Sequence, residues 1–261
     1  MEHQVPSYNV FLFAERQNDY CVCVFVINEG QRLLEQLSKM PQYCAGNADI
    51  VVADGGSSDG STEHQRLQKL GVNTLLVKTG PGKLGSQMRM AFDWALMRGY
   101  KGVVTVDGNG KDGIDAIPCF VEELRAGVDH VQGSRFIPGG HHENTPLSRL
   151  LGVKILHAPL ISLASGFHYT DTTNGFRAYS SSLLQSEKLA IFRDCFTGYE
   201  LHYYIAIEAV RAGFICKEIP VSRVYPKDGS VPTKISSFRG NLGVLLTLWD
   251  VLRHKYSVPK L

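Results

Sequence analysis

No run of about 18 consecutive apolar residues occurs in the 261-residue chain, so no transmembrane helix is predicted. Met1 to Asn9 is polar and lacks the apolar core of a signal peptide. Neither charge dominates, since 27 Lys and Arg stand against 25 Asp and Glu. That balance gives no basic excess for a dedicated nucleic-acid binder. None of the cysteines (Cys21, Cys23, Cys44, Cys119, Cys195, Cys216) forms a Cys-x-x-Cys pair, so no metal or redox framework is indicated. Cys21 and Cys23 lie two apart in an apolar run and would share one strand face as small buried hydrophobes. Reduced thiols suit a cytoplasmic protein. There is no internal repeat, low-complexity tract or linker. What remains is globular material, 44% hydrophobic and 20% charged. A chain of this length can bury roughly 70–75% of its unfolded surface without disulfides or metal.

The first half alternates strand and helix. Cys21 to Ile27 is a β-branched and aromatic run, interrupted by Asn28-Glu29-Gly30, after which Leu33, Leu34 and Leu37 repeat at helical spacing. Ile50 to Ala53 is continuously apolar, as in a strand buried on both faces of a parallel sheet. Thr74–Val77 and Gly102–Val106 read as further strands, with a helical stripe from Leu84 to Leu96 between them. In the second half, Val128–Ser134 and Phe214–Val224 read as strands and Tyr199–Ala212 as a helix. Ile137–Pro146 reads as a mobile loop and Leu147–Leu163 as a helical stretch broken at Pro159. The expectation is an α/β fold of one continuous domain, with a mainly parallel sheet flanked by helices. Asp54 and Asp107 fall just past the carboxyl ends of apolar strands, where open α/β sheets bind ligands.

Six segments in order carry a resemblance: Ile27-Asn28-Glu29, Asp54-Gly-Gly-Ser-Ser-Asp59-Gly-Ser, Asp107-Gly108-Asn109, Gly133-Ser-Arg135, Gly175-Phe-Arg177-Ala-Tyr, and a late loop ending at Lys234. Together they resemble the family-2 glycosyltransferases of Rossmann-like GT-A fold, within them the dolichyl-phosphate mannose synthases and polyprenyl-phosphate sugar transferases. The resemblance runs from about Val24 to Lys234 and divides the chain into an N-terminal extension (1–20), a catalytic domain (21–235) and an amphipathic C-terminal helix and tail (236–261).

The resemblance implies that Asn28, Glu29, Asp54, Lys83, Asp107, Gly108 and Arg135 bind the nucleotide-sugar donor. Glycines let backbone approach a flat ligand, and a carboxylate accepts from base or ribose. An Asp/Gly/Ser string also makes a turn and a helix cap, a role open to Asp59. Asp107 and Asn109 occupy the place of the family's metal motif, implying Mg2+ or Mn2+. Asn109 replaces a carboxylate there, and Lys111 stands where an ammonium would repel a metal. Either Asp107, Asn109 and Asp112 hold an ion, or Lys111 partly replaces it. Arg135, Arg223, Lys227 and Lys234 are the expected acceptor and phosphate contacts.

Asp107, Asp171, Arg177 and Glu200 are the expected catalytic set. A hydroxyl acceptor needs a general base, for which Asp171 and Glu200 are available, whereas a phosphate is already a nucleophile. Glu200 suits equally a first-turn helix acid. His141-His142 has too few companions for zinc. The function implied is inverting transfer from a GDP- or UDP-sugar to a polyprenyl phosphate. Transfer to a glycan hydroxyl and non-catalytic binding of a nucleotide sugar are the alternatives. A lipid acceptor would be met at the cytoplasmic membrane face, directly or through a membrane-protein partner. Leu242, Leu245, Leu246, Leu248 and Trp249, with Arg253 and Lys255, could rest on that surface or form ordinary core.

Overall fold

The apolar runs foreseen as strands form the middle of an eight-stranded sheet. The computed structural model describes residues 2–226, 246–256 and 258. In β2 (Tyr20–Val26), Cys21, Cys23 and Phe25 enter the core on one side while Val22, Val24 and Val26 enter it on the other. A strand apolar on both faces needs cover on both, and helices supply it. β3 (Asp49–Asp54), β4 (Thr74–Lys78) and β5 (Gly102–Asp107) complete the parallel centre, with Val24 opposite Val52 and Val106. Helix α1 (Gln31–Lys39) covers one face together with α3 (Ile117–Arg125), through Leu33, Leu37, Phe120 and Val121. Helix α2 (Leu84–Met97) covers the other with α5 (Glu200–Arg211), through Met88, Phe92, Ile205 and Ala209. Chain order runs from β2 outward to β3 and β4, then returns to β5 on the opposite side of β2. The crevice past β2 and β5 is therefore the switch point at which such sheets bind ligands.

Three strands were not foreseen. β1 (Tyr8–Leu12), in the segment expected as an extension, pairs antiparallel with β4 at the sheet edge. β8 (Arg177–Ser180) lies antiparallel between β5 and β6 (His130–Ser134). The expected strand 214–224 breaks at Val221 into β9 (Cys216–Pro220), beside β6, and β10 (Ser222–Val224). β10 pairs with β7 (His141–Glu143), so the two histidines foreseen in a mobile loop belong to a strand.

The expected break at Pro159 is also corrected. Helix α4 runs unbroken over Leu147–Ser165, with a π-helical stretch at Gly152–His157 just ahead of the proline. Proline lacks an N–H and crowds the carbonyl four residues back, and a wider turn at that place absorbs both problems. By length and composition alone α4 could cross a membrane, and most of its residues lie outside the core. A strict search for apolar runs passes over it because Arg149 and Lys154 interrupt the pattern. Of the C-terminal helix, Leu248 and Val251 are buried in the core while Leu246 and Trp249 are exposed. Leu242, Leu245, Lys227 and Lys234 lie outside the described residues.

Candidate active site

Beyond the carboxyl ends of the parallel strands lies a cavity of about 480 Å³. Its first-half wall comes from Ile27 and Glu29 after β2, Gly55 after β3, Lys83 and Gln87 at the start of α2, and Asp107 at the end of β5. Its other wall carries Asn109, Lys111, Arg149, Thr173, Tyr199 and Arg223. The buried Gln87 amide donates to the carbonyls of Val26 and Ala53, tying the ends of β2 and β3 together under the floor. Gly108 is crowded by Val26 and Leu33, so the turn after Asp107 has no room for a side chain. A second cavity of about 400 Å³ adjoins the first and shares Asn109 and Lys111 with it.

The charges at this end are interlocked. Asp107 Oδ2 accepts from Asn109 Nδ2 at 3.2 Å and from Arg223 Nη2 at 3.3 Å. Arg223 Nη1 donates to Asp112 Oδ1 at 2.5 Å, so Asp112 is turned toward the guanidinium within the wall. Its other oxygen, Oδ2, is buried with no hydrogen-bond partner among the described residues. Burial works against the Arg223 charge, but Asp112 and Asp107 outweigh it and hold the pKa above its ordinary value. Burial pushes the Asp112 carboxyl up. Lys111 lies 5.2 Å from the Tyr225 ring centroid, and burial, with Arg223 nearby, lowers its pKa to about 8. Two carboxylates, Asp107 and Asp112, and two close cations, Lys111 and Arg223, thus meet at the mouth of β5.

The Asp54 loop differs from expectation. Asp54 is buried, and its Oδ1 accepts from the N–H groups of Gly56 and Ser57 while Oδ2 accepts from the Thr62 hydroxyl. It shapes the loop from below, and Gly55 is the loop residue that reaches the cavity. Asn28, with φ of 51°, fixes the same loop by accepting from Ser58 N and donating its own N–H to Ser57 Oγ. Asp59 does not cap the following helix, where Glu63 accepts from Gln65 and Arg66. It accepts instead from Gly30 N–H at the start of α1 and from Ser61. Of the first-half candidates, the structure brings Glu29, Lys83 and Asp107 to the cavity, while Asn28, Asp54 and Gly108 support its wall.

The second-half candidates are rearranged more strongly. Arg135 and Asp171 form a buried two-point ion pair, which removes both from the cavity surface. Arg177 is buried and spends its donors on backbone carbonyls of Asn174, His202 and Thr172, clamping the turn before β8 to α5. Glu200 Oε1 accepts from the N–H groups of Thr197 and Gly198, ordering the loop that enters α5. Its geometry is that of a helix-start acid. Arg223 alone among the described acceptor-side candidates lines the cavity. Arg149 and Tyr199 were missed. Arg149 was legible as the lone cation on the first turn of an apolar helix, whereas nothing local marks Tyr199.

No family model matches the chain. It is 29% identical over 205 residues to the polyprenol monophosphomannose synthase of Mycolicibacterium smegmatis, covering 77% of this chain and 76% of that one. It is 29% identical over 208 residues to the undecaprenyl-phosphate mannosyltransferase of Micrococcus luteus, covering 78% and 83%. The glucosyl-3-phosphoglycerate synthase of Mycobacterium tuberculosis, solved with phosphoglyceric acid, superposes with a TM-score of 0.64 at 17% identity, over 94% of this chain and 81% of that one. The same enzyme solved with Mn2+, UDP and its product gives 0.60 at 17% identity, again over 94% and 81%. The chain is a glycosyltransferase of GT-A fold. Its homologues are polyprenyl-phosphate mannosyltransferases, and members of its fold have been crystallised with a divalent metal and a nucleotide. In this glycosyltransferase the cavity beside Asp107 lies at the switch point of that fold.

Proposed function

We propose that this glycosyltransferase transfers a sugar, in one inverting displacement, from a nucleoside-diphosphate sugar to a polyprenyl phosphate. The observation that carries the acceptor class is the fate of the two expected bases. Asp171 is saturated by Arg135 and Glu200 by backbone N–H groups, and neither lines the cavity. A hydroxyl acceptor would need such a base, whereas a phosphate oxygen arrives already anionic. Lys111, Arg149 and Arg223 give the cavity the positive wall that an anionic acceptor and a departing diphosphate both need.

In this reading Glu29 and Gly55 flank the nucleoside, and Lys83 reaches the donor's phosphate or sugar. A phosphate oxygen of the acceptor bonds to the anomeric carbon as the bond from that carbon to the diphosphate oxygen breaks. The electron pair leaves with the nucleoside diphosphate, and the fixed charges of Lys111 and Arg223 stabilise it there. Asp107 would hold Mg2+ or Mn2+ together with donor phosphates, and Asn109 would join it only by turning its amide, whose Nδ2 donates to Asp107 and whose Oδ1 accepts from Lys111 N–H. Such an ion would draw charge from the leaving group. Residence at the cytoplasmic face of a membrane goes with this reading.

The test is a screen of GDP- and UDP-sugars against short prenyl phosphates and oligosaccharides, with product masses measured with and without chelator. Sugar phosphoprenol as product is expected. Transfer to oligosaccharides alone would overturn the lipid acceptor, and donor binding without turnover would leave a binding protein. Full rate in excess chelator would leave the charge to Lys111 and Arg223.

A further inference from the structure

Helix α4 has two opposed rows of side chains. Val153, His157, Ile161 and Ser165 succeed one another four residues apart and are buried. Two residues out of step, and so on the opposite face, stand Leu147, Leu151, Ile155, Pro159 and Leu163, all exposed. On a straight α-helix a row of every fourth residue drifts by about 40° per step. The π-helical stretch at Gly152–His157 has more residues per turn and slows that drift, which keeps the outer row on one side. Leu147, Ile155 and Leu163 are 68%, 70% and 84% exposed, so this is an apolar ridge rather than scattered surface leucines.

The charges on the helix itself have one sign. Between Asn144 and Thr170 there is no Asp or Glu, while Arg149 and Lys154 lie on the helix and His168 follows it. Lys154 is exposed, with its ammonium 4.6 Å from the Phe136 ring centroid. Arg149, on the first turn, lines the donor cavity and donates to Tyr225 Oη at 2.9 Å. An apolar ridge whose own helix carries cations and no acid complements an anionic lipid surface. The inner row packs on α5 and its neighbours through Ile161 in the core, so α4 cannot leave the fold to span a bilayer.

We propose that α4 is a membrane-docking helix. It lies flat on an anionic bilayer with Leu147, Leu151, Ile155 and Leu163 dipped among the acyl chains and Lys154 at the headgroups. Arg149 then sits where the cavity meets the lipid, so a prenyl phosphate can bring its headgroup to Asp107 while its tail stays in the bilayer. This surface rests on the lipid-acceptor reading, and it differs from the C-terminal helix suggested by the sequence.

The experiment is co-sedimentation of the full chain with phosphatidylcholine vesicles containing or lacking phosphatidylglycerol. It is repeated with Ile155→Glu/Leu163→Glu and with Lys154→Gln, with melting temperature and light scattering recorded. The wild type should pellet with the anionic vesicles, at least tenfold more than the double glutamate variant. That variant should melt within a few degrees of the wild type and transfer sugar to a short, water-dispersed prenyl phosphate within about twofold of its rate. Lys154→Gln should bind more weakly and with less salt dependence. A wild type that stays in the supernatant, or a double variant that pellets equally, overturns the proposal. A dimer that the glutamates dissociate would assign the ridge to a second copy and also overturn it. Vesicle binding without transfer to any prenyl phosphate would remove the acceptor reading and leave the docking surface standing.

Discussion

Arg135 Nε lies 2.6 Å from Asp171 Oδ2 and Arg135 Nη2 lies 2.9 Å from Asp171 Oδ1, with side chains 2% and 0% exposed. Asp171 Oδ1 also accepts from Thr173 N, and Thr173 lines the cavity. The pair therefore positions a cavity wall from behind. Removing one partner strands a buried charge, which typically costs about 3–5 kcal/mol. Asp171→Asn should lose that much in urea unfolding, and Arg135→Met/Asp171→Leu should recover most of it. The double variant should retain measurable transfer. A stable but inert double variant would restore Asp171 as a base.

Asn109 donates to the one carboxylate at the end of β5. Asn109→Asp places a second hard anionic oxygen beside it, and metal affinity rises with ligand charge. The Mn2+ concentration for half-maximal nucleoside-diphosphate release should fall by roughly tenfold. An unchanged activation curve would move the ion away from Asp107.

At Gly85, in the first turn of α2, an added Cβ would stand 2.7 Å from Gly198 O and 2.9 Å from Phe196 O. Both are backbone atoms of the loop that brings Gly198 and Tyr199 to the cavity. Gly85→Ala should cost about 1–3 kcal/mol by overpacking and should raise the donor KM as the loop shifts. Unfolding curves and initial rates on the same preparations check both effects.

His157 faces the core on α4, 4.8 Å from the Tyr203 ring centroid, and burial lowers its pKa to about 4 from the ordinary 6.5. Below pH 6.5 the unfolded chain takes up a proton that the folded chain refuses until about pH 4. Stability is thus intact above that window and lost as pH falls through it, by about 3 kcal/mol for this group. His130, whose pKa burial lowers to about 3, and His202, lowered well below the ordinary value for the same reason, act in the same direction. His157→Asn should therefore lose about 2 kcal/mol less than wild type between pH 6.5 and 4.5 in urea titrations.

The parallel centre was legible because strands buried on both faces write themselves as continuous apolar runs, as Ile50–Ala53 does. β8 was not, since it has only four residues, Arg177-Ala-Tyr-Ser180, and begins with a charge. The strand tolerates that buried charge because Nε, Nη1 and Nη2 each donate to a backbone carbonyl. The site was legible as chemistry but not as partnership. Sequence showed carboxylates and cations in family order and located Asp107 correctly at a strand end. It could not show that Arg135 and Asp171, or Arg223 and Asp112, would meet across long stretches of chain and satisfy each other. Pro159 misled for a related reason, because a π turn just ahead of it has no sequence signature.

The placement of β8 between β5 and β6 has a bearing on how the molecule is made. β2, β3, β4 and β5 can pair with one another as soon as Asp107 has been synthesised, and that half already holds Glu29, Lys83 and Asp107. β6 has no neighbour among them and must wait for Arg177–Ser180 before it and β9 can dock. The cations of the far wall, Arg149 and Arg223, join only with that second half. Such long-range closures are the slow steps of folding. A nascent chain thus carries Glu29, Lys83 and Asp107 well before it has the loop whose Thr197 carbonyl accepts from Lys83 N–H, or the charges that complete the crevice.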